Sequence, residues 1–327
     1  MKTQQHYRRD LKRLTFIGKE AFAIGAAAEL NLFPYLHQPI TAEELAQKTG
    51  CSVKGLRMTL DALTALEIVE KQGNAYQLPD GYKPFFGNND IFSFEHHLKN
   101  VVRLTEGWLQ LPEAVKNGKL ERQRATPEMF VHLTKGLFAM NYEEGQELYH
   151  RLKERHFLKI LDVGAGACVW SIPFAQNNPS VHAFAIDQKP VIENVAVPTL
   201  SALNLTNQYT LISGDFWDTR WGEDYDLIIL GHIAHSFSQE MNIELFKLAK
   251  NALKPHGVLA VVDFIPDESR QTRVFPLIFA LNMLLYSNGG DVYTFSEYQA
   301  MLTESGFHGF EMIQLDEGHG ADVVIAQ

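Results

Sequence analysis

Between residues 158 and 187 the chain carries the groups that a nucleotide site needs. Leu158-Lys-Ile-Leu-Asp-Val-Gly-Ala-Gly-Ala-Cys168 places Asp162, Gly164 and Gly166 at the end of an apolar run made by Ile160, Leu161 and Val163. A second apolar run, Val181 to Ile186, ends on Asp187. Glycines let a backbone approach a ligand closely, and a carboxylate at the end of the next strand can accept both ribose hydroxyls. Cys168 stands where the third glycine of a dinucleotide fingerprint would be. The residues alone leave open which nucleotide-bearing cofactor such a loop holds.

Two other clusters carry chemistry. Gly214-Asp215-Phe216-Trp217 follows a third apolar run and in isolation is a turn with one buried aromatic. His232 and His235 lie beyond Leu227–Leu230. An imidazole with a pKa near 6.5 takes a proton at neutral pH, although a lone histidine at a helix start is usually only hydrogen-bonded. Their His-x-x-His spacing also suits a metal, but only the distant Asp263 is available to extend the ligand set, and no metal is assigned.

These residues need strands and helices to hold them. From residue 157 on, strands are expected at Lys159–Val163, His182–Ile186, Tyr209–Ser213, Leu227–Leu230, Val258–Phe264, Gly309–Gln314 and Val323–Ala326. Helices fit between the first five, including one from about Val169 to Gln176 and one at Met241–Leu253 that Pro255-His256-Gly257 terminates. The alternation predicts an α/β fold, a doubly wound and mostly parallel sheet. The last two strands are joined by a short Gly-rich turn, so one of them should be antiparallel.

Upstream, Phe16, Ile17, Phe22, Ile24, Ala27, Leu30, Leu32 and Phe33 sit at helical spacings in an Ala-rich stretch, which reads as internal or dimer-forming. Thr41 and Glu44 make a capping box for a helix at Ala42–Lys48, stopped by Gly50. Ser52 caps a second helix with Val53, Leu56, Leu60, Leu63 and Leu66 on one face, and Gln72-Gly73-Asn74 turns a β-hairpin. Helix, turn, helix, hairpin is a winged-helix module. The expected division is a winged-helix dimerisation domain at 1–89, a helical connector at 90–150 broken near Gly118 and Pro127, and the α/β domain at 151–327.

The whole chain has 327 residues, 46% hydrophobic and 21% charged, as in a soluble globular protein. Its net charge of −10 disfavours nucleic acid or an anionic membrane as the main partner. Cys51 and Cys168 suggest neither a disulfide framework nor a zinc site. No apolar run reaches the roughly 18 residues of a membrane span, so a cytoplasmic setting is expected.

In order and spacing, the winged helix, Leu-Asp-Val-Gly-Ala-Gly, Gly-Asp-Phe-Trp, Ala-His-Ser-Phe and Leu-Lys-Pro-His-Gly resemble the class I S-adenosylmethionine methyltransferases. More narrowly, from about residue 15 to the C-terminus, the chain resembles the plant-type small-molecule O-methyltransferases, such as the caffeate and acetylserotonin enzymes and their bacterial natural-product relatives. The resemblance implies S-adenosyl-L-methionine as cofactor, held by Asp162, Gly164, Gly166, Asp187, Gly214, Asp215 and Phe216. Asp187 would bind the ribose, Asp215 the adenine amino group, and Phe216 would pack on the adenine ring. A phosphate-free adenosyl cofactor also asks less of a loop with Cys168 in it than a pyrophosphate would.

The resemblance further implies that His235 is the general base, with Asp263 orienting it. The acid that follows the histidine in the family is Ser236 here, and a second family acid falls at Val292, with Asp291 beside it. By the same analogy Trp108, Phe138, Met140, Asn141, Phe279, Asn282, Met283 and Asp291 line the acceptor pocket. The implied reaction is methyl transfer to a hydroxyl of a small aromatic or polyketide-like acceptor, in secondary metabolism, by a homodimer joined through the N-terminal domain. C- or N-methylation, or a family member with altered or lost methyl transfer, are the alternatives on this scaffold. A winged-helix regulator is disfavoured: between residues 39 and 80 the basic Lys48, Lys54, Arg57 and Lys71 are outnumbered by Glu43, Glu44, Asp61, Glu67, Glu70 and Asp80, whereas DNA binding needs a basic face.

Overall fold

The computed structural model describes residues 4–15, 17–87, 91–120, 126–315 and 321–327. Phe16 and the Gly-rich turn between the last two strands lie outside the described residues. The chain divides into two compact units, Met1–Glu106 and Gly107–Gln327.

The first unit contains α1 (Gln4–Leu14), α2 (Ile17–Glu29), α3 (Ala42–Thr49), α4 (Val53–Ala65) and most of α5 (Glu95–Trp108). The expected capping box forms: Thr41 Oγ1 accepts from Glu44 N at 3.2 Å and Glu44 Oε2 accepts from Thr41 N at 2.9 Å. Gly50 ends α3 in the left-handed region at φ 72°, where a Cβ would be strained. Leu45, Leu56, Leu60, Leu63 and Phe33 are buried together. The hairpin of β2 (Glu70–Gln72) and β3 (Ala75–Gln77) gains a third strand, β1 (Ile40–Thr41), through the pair Ile40↔Tyr76. Two residues are too few to show an alternating pattern, so this strand was not legible in the sequence.

The second unit holds α6 (Leu111–Asn117), the long α7 (Pro127–Leu152), and a seven-stranded sheet. Its elements are β4 (Lys159–Val163), α8 (Ile172–Asn177), β5 (His182–Asp187), α9 (Lys189–Val191) running through a π turn into α10 (Val197–Ala202), β6 (Tyr209–Ser213), β7 (Tyr225–Gly231), α11 (Gln239–Ala252), β8 (Leu253–Asp263), α12 (Val274–Tyr286), α13 (Phe295–Glu304), β9 (Phe310–Gln314) and β10 (Asp322–Ala326). The strand order is β6-β5-β4-β7-β8-β10-β9. The first five are parallel, while β10 runs antiparallel to both β8 and β9. The sheet is thus mostly parallel, with helices between its strands, as the alternation predicts.

Two local expectations shift. The helix expected from Val169 begins at Ile172, because Cys168 adopts φ 61° and turns the chain for several residues first. Pro255-His256-Gly257 was expected to lie beyond the end of a helix, but it lies inside β8, where the register against β7 slips between Tyr225 and Leu227. The helix stops at Ala252.

The strand order reverses direction between β4 and β7, and ligands of open α/β sheets bind in the crevice beyond the carboxyl ends at such a point. The carboxyl ends of β4 to β8 and the loops after them carry Gly164 and Gly166, Asp187, Gly214 and Asp215, His232 and His235, and Asp263. Topology gathers residues that the sequence spreads over about a hundred positions. Among the described residues, no helix is long and apolar enough to cross a membrane.

Candidate active site

At the end of β4, Gly164 and Gly166 both take positive φ, 62° and 56°, and let the chain double back beside β5. Ala165 N donates to Ile186 O at 3.1 Å, and Gly166 N donates to Asp187 Oδ2 at 2.8 Å. Asp187 Oδ1 accepts from Gln188 N at 2.6 Å. Each carboxylate oxygen therefore receives one backbone donor and keeps acceptor capacity for a ligand. Burial raises the Asp187 pKa, opposed by the hydrogen bonds from Gly166 and Gln188. The end of β6 is tied to the same place, since Gly214 N donates to Asp187 O at 2.9 Å.

Asp162 is buried under this loop. Its Oδ2 accepts from Ser171 Oγ at 2.6 Å, and Ser171 Oγ in turn accepts from Tyr209 Oη at 3.0 Å. Its Oδ1 is buried with no hydrogen-bond partner among the described residues. Burial, reinforced by Asp187, pushes the Asp162 carboxyl up to about 7 despite the Ser171 bond. Cys168 is buried beside these acids, and burial pushes its thiol well above the ordinary range. It packs as a small apolar residue rather than acting as a nucleophile. α7 lies over the loop: a Cβ on Gly166 would stand 2.6 Å from Thr134 Cγ2, and one on Gly145 would stand 2.6 Å from Val169 O.

After β7 a short turn, Ala234–Ser236, carries His235. The buried Asn242 on α11 holds that turn, donating to Ala234 O at 2.9 Å and to Phe237 O at 3.3 Å. Asp263, at the end of β8, grips the histidine twice. Its Oδ1 lies 2.6 Å from His235 Nδ1, and its Oδ2 accepts from His235 N at 2.9 Å. Phe264 N donates to Oδ1 at 2.8 Å and Tyr298 Oη to Oδ2 at 2.9 Å. Burial alone would raise the Asp263 pKa, but the adjacent His235 and these hydrogen bonds hold it below the usual carboxylate range. A buried carboxylate with this set of donors stays ionised.

α12 closes the other side with an aromatic stripe. The Phe279 ring meets His235 edge-on at 4.9 Å, and Phe264 meets Phe275 and Phe279 at 4.9 Å and 4.6 Å. The His232 ring lies tilted against its neighbours, its centroid 4.3 Å from that of Phe264 and 5.3 Å from that of Trp170. Single ligand atoms of His232, His235 and Asp263 lie within 4.8 Å of one another. The 2.6 Å bond joins one ring nitrogen of His235, Nδ1, to one carboxylate oxygen of Asp263, Oδ1.

The other expected residues are distributed as follows. Asp215 is exposed and its Oδ1 accepts from Trp217 N at 3.0 Å, while Phe216 packs between Trp217 and Phe237. Phe138 and Asn141 are buried on α7 with Met140 half-buried between them, and Trp108 is half-buried at the end of α5. Met283 is buried on α12, and Asn282 is half-buried with its Oδ1 shielded and without a partner among the described residues. Asp291 is exposed and its carboxylate accepts from its neighbour Val292 N at 2.7 Å; Val292 itself is buried.

Sequence reasoning missed Tyr298, Ser171, Tyr209, Asn242 and Thr134. Only Tyr298 had a usable signal. Thr294 and Glu297 form a capping box that marks the start of α13, and Tyr298 lies just inside it. Just before Asp291, the place of Gly290 is steric. A Cβ on Gly290 would collide with His235 O and Ser236 C.

Residues 96–308 match the model of the O-methyltransferase domain, and residues 16–91 match that of the O-methyltransferase dimerisation domain. The chain belongs to the O-methyltransferase family. One relative, the tetracenomycin polyketide synthesis 8-O-methyl transferase TcmO of Streptomyces glaucescens, is 27% identical over 319 residues, 91% of each chain. Another, L-tyrosine C(3)-methyltransferase of Streptomyces lavendulae, is 24% identical and covers 91% of this chain and 87% of its own. The structure of human N-acetylserotonin methyltransferase in complex with SAM superposes with a TM-score of 0.87 at 20% identity, over 100% of this chain and 98% of the other. The O-methyltransferase domain match spans α7, every strand from β4 to β8, and the α12–α13 region that bears on His235.

Proposed function

We propose that this methyltransferase places the methyl group of S-adenosylmethionine on a hydroxyl of a small aromatic or polyketide-like acceptor, with His235 as the general base. The observation that carries the reading is the double grip of Asp263 on His235, through Nδ1 at 2.6 Å and the backbone N–H at 2.9 Å.

The residues at the carboxyl ends of β4, β5 and β6 and just beyond them fit the cofactor. Asp187 keeps acceptor capacity for a vicinal diol, Asp162 Oδ1 is a buried acceptor without a partner among the described residues, and Gly166 brings the backbone close. Asp215 and Phe216 supply an acceptor and a flat apolar face at the end of β6. Gly164 and Gly214 shape the two turns. S-adenosylmethionine supplies an electrophilic methyl on a sulfonium centre when it is bound.

The chain's own part is positional and protonic. With Nδ1–H donated to Asp263, the His235 lone pair is on Nε2, the atom that takes the acceptor's hydroxyl proton. Asp263 keeps that tautomer and stabilises the imidazolium once it forms, as an ionised carboxylate in a buried site does. Phe264, near-parallel to the imidazole, and Phe279, edge-on to it, wall the ring with apolar surface, which excludes water and strengthens the ion pair. Alignment of the two reactants contributes most of the acceleration and the base about 10²–10⁴-fold.

C-methylation is the second reading, because one relative is named as a tyrosine C(3)-methyltransferase. A phenol ionised by His235 is nucleophilic at oxygen and at its ortho carbon, so the same base serves either outcome. The test is incubation with labelled S-adenosylmethionine and a panel of phenols, amines and keto acids, with the labelled position identified by mass spectrometry. Label on oxygen, lost in His235→Ala while cofactor affinity stays, supports the proposal; label on carbon or nitrogen overturns it.

A homodimer through the N-terminal unit is part of the reading. Tyr7, Leu11, Leu14 and Phe22 of α1 and α2 are exposed, and residues 16–91 match the dimerisation model. Light scattering of the full chain, with a monomer as the contrary result, tests it.

A further inference from the structure

His232 is out of place as a packing residue. It follows β7 directly at φ 55°, a left-handed conformation that is uncommon for a residue with a Cβ. Its side chain is 10% exposed, and neither ring nitrogen has a hydrogen-bond partner among the described residues. The nearest carboxylate oxygen, Asp263 Oδ1, is 4.0 Å away and already accepts from His235 Nδ1 and Phe264 N. Burial pushes its pKa down to about 4, so at neutral pH the ring is neutral and offers one N–H and one lone pair. Phenylalanine or leucine would fill the slot between Trp170 and Phe264 without an unmet polar group. Buried polar atoms of this kind usually have a partner.

A ligand that settles beside the ring would supply one. The His232 and His235 ring centroids are 6.0 Å apart. Two oxygens on adjacent or peri positions of a fused aromatic lie within roughly a hydrogen-bond length of each other, so two such rings can converge their nitrogens on the pair. From the opposite wall, Phe279 touches His235 and Asn282, one turn further along α12, holds a second shielded acceptor without a partner among the described residues. A monohydroxylated hydrocarbon ring would satisfy neither group.

We propose that His232 hydrogen-bonds a second oxygen of the acceptor, a hydroxyl or carbonyl ortho or peri to the hydroxyl facing His235, and thereby selects vicinally or peri-dioxygenated aromatics. This rests on the reading of His235 as the base that faces the acceptor hydroxyl. His232 acts on specificity and is not assigned a proton-transfer role.

The experiment measures binding and turnover separately on the full chain. Affinities of catechol against phenol, and of 1,8-dihydroxynaphthalene against 1-naphthol, are measured calorimetrically with S-adenosylhomocysteine bound. The wild type should favour the dioxygenated member of a pair by roughly ten- to a hundredfold, the effect of one buried hydrogen bond. His232→Phe should bring that ratio close to one, and His232→Asn, which keeps a donor and an acceptor, should retain part of it. No preference in the wild type for either pair, or a preference unchanged in His232→Phe, overturns the proposal. Turnover of the same compounds is read independently: a preference that depends on His232, without methyl on oxygen, leaves the subsite standing and sinks the O-methylation reading.

Discussion

His235 and Asp263 meet through two hydrogen bonds that share no atom: Nδ1 to Oδ1 at 2.6 Å and backbone N to Oδ2 at 2.9 Å. The first sets the tautomer, and the second fixes where the residue's backbone lies relative to β8. A ring held only by its side chain could rotate about χ1 and lose its aim. Tying backbone and ring to one rigid carboxylate removes that freedom, since β8 is buried along its length from Gly257 to Asp263.

Asp263→Asn should therefore damage turnover far more than binding. An amide cannot both accept from Nδ1–H and stabilise an imidazolium as a carboxylate does. The expected loss in kcat is about 10²–10⁴-fold, with S-adenosylmethionine affinity within a few-fold of wild type. Steady-state kinetics beside calorimetry check this. Equal losses in both would point to a general structural role.

Tyr298 acts through Asp263. Its hydroxyl donates to Oδ2 at 2.9 Å in a buried setting, and this bond helps keep the acid ionised. Tyr298→Phe should lower kcat by about tenfold, as expected for a hydrogen bond to a charged group. The affinity for S-adenosylmethionine, measured by calorimetry, should stay within a few-fold of wild type. An equal loss of affinity and turnover would assign Tyr298 to packing.

Gly166→Ala tests the loop. The new Cβ would have to tolerate φ 56° and would stand 2.6 Å from Thr134 Cγ2. Backbone strain costs about 1 kcal/mol, and the displaced loop should weaken cofactor binding by tenfold or more. Adding Thr134→Ala removes the collision but not the strain, so the double variant should recover part of the affinity. No recovery would show that α7 does not set the loop's position.

Asp162 makes stability depend on pH in a direction unusual for a carboxylate. Its folded pKa of about 7 lies above the ordinary 3.8, so between those values the folded state holds a proton that the unfolded state has lost. Its contribution is present in full below pH 3.8 and is lost as pH rises through 7, on the order of 4 kcal/mol in total. His232 runs the other way: with a folded pKa of about 4 against 6.5, it costs stability as pH falls from 6.5 towards 4. The cofactor-free wild type should lose thermal stability between pH 6 and pH 8.5, and Asp162→Asn should lose less. Melting curves at the two pH values decide it; parallel changes in both proteins would remove Asp162 as the cause.

Local sequence is enough to specify the alternation of strands and helices, the glycine loop with Asp187, and the helix caps at Thr41 and Ser52. Each rests on local rules: apolar periodicity, glycine's freedom at positive φ, and a side-chain acceptor three residues before a free N–H. It also supplied the motif order by which His235 and Asp263 were paired. How that pair is held emerges from the folded chain. Tyr298 reaches Asp263 from 35 positions away, Ser171 and Tyr209 converge on Asp162, Gly290 seats against the His235 carbonyl, and His232 loses every polar neighbour within hydrogen-bond reach among the described residues. Contacts of this kind depend on which strand ends become neighbours in the sheet. Strand order is chosen by the summed burial of whole faces, and no local stretch of sequence carries that sum.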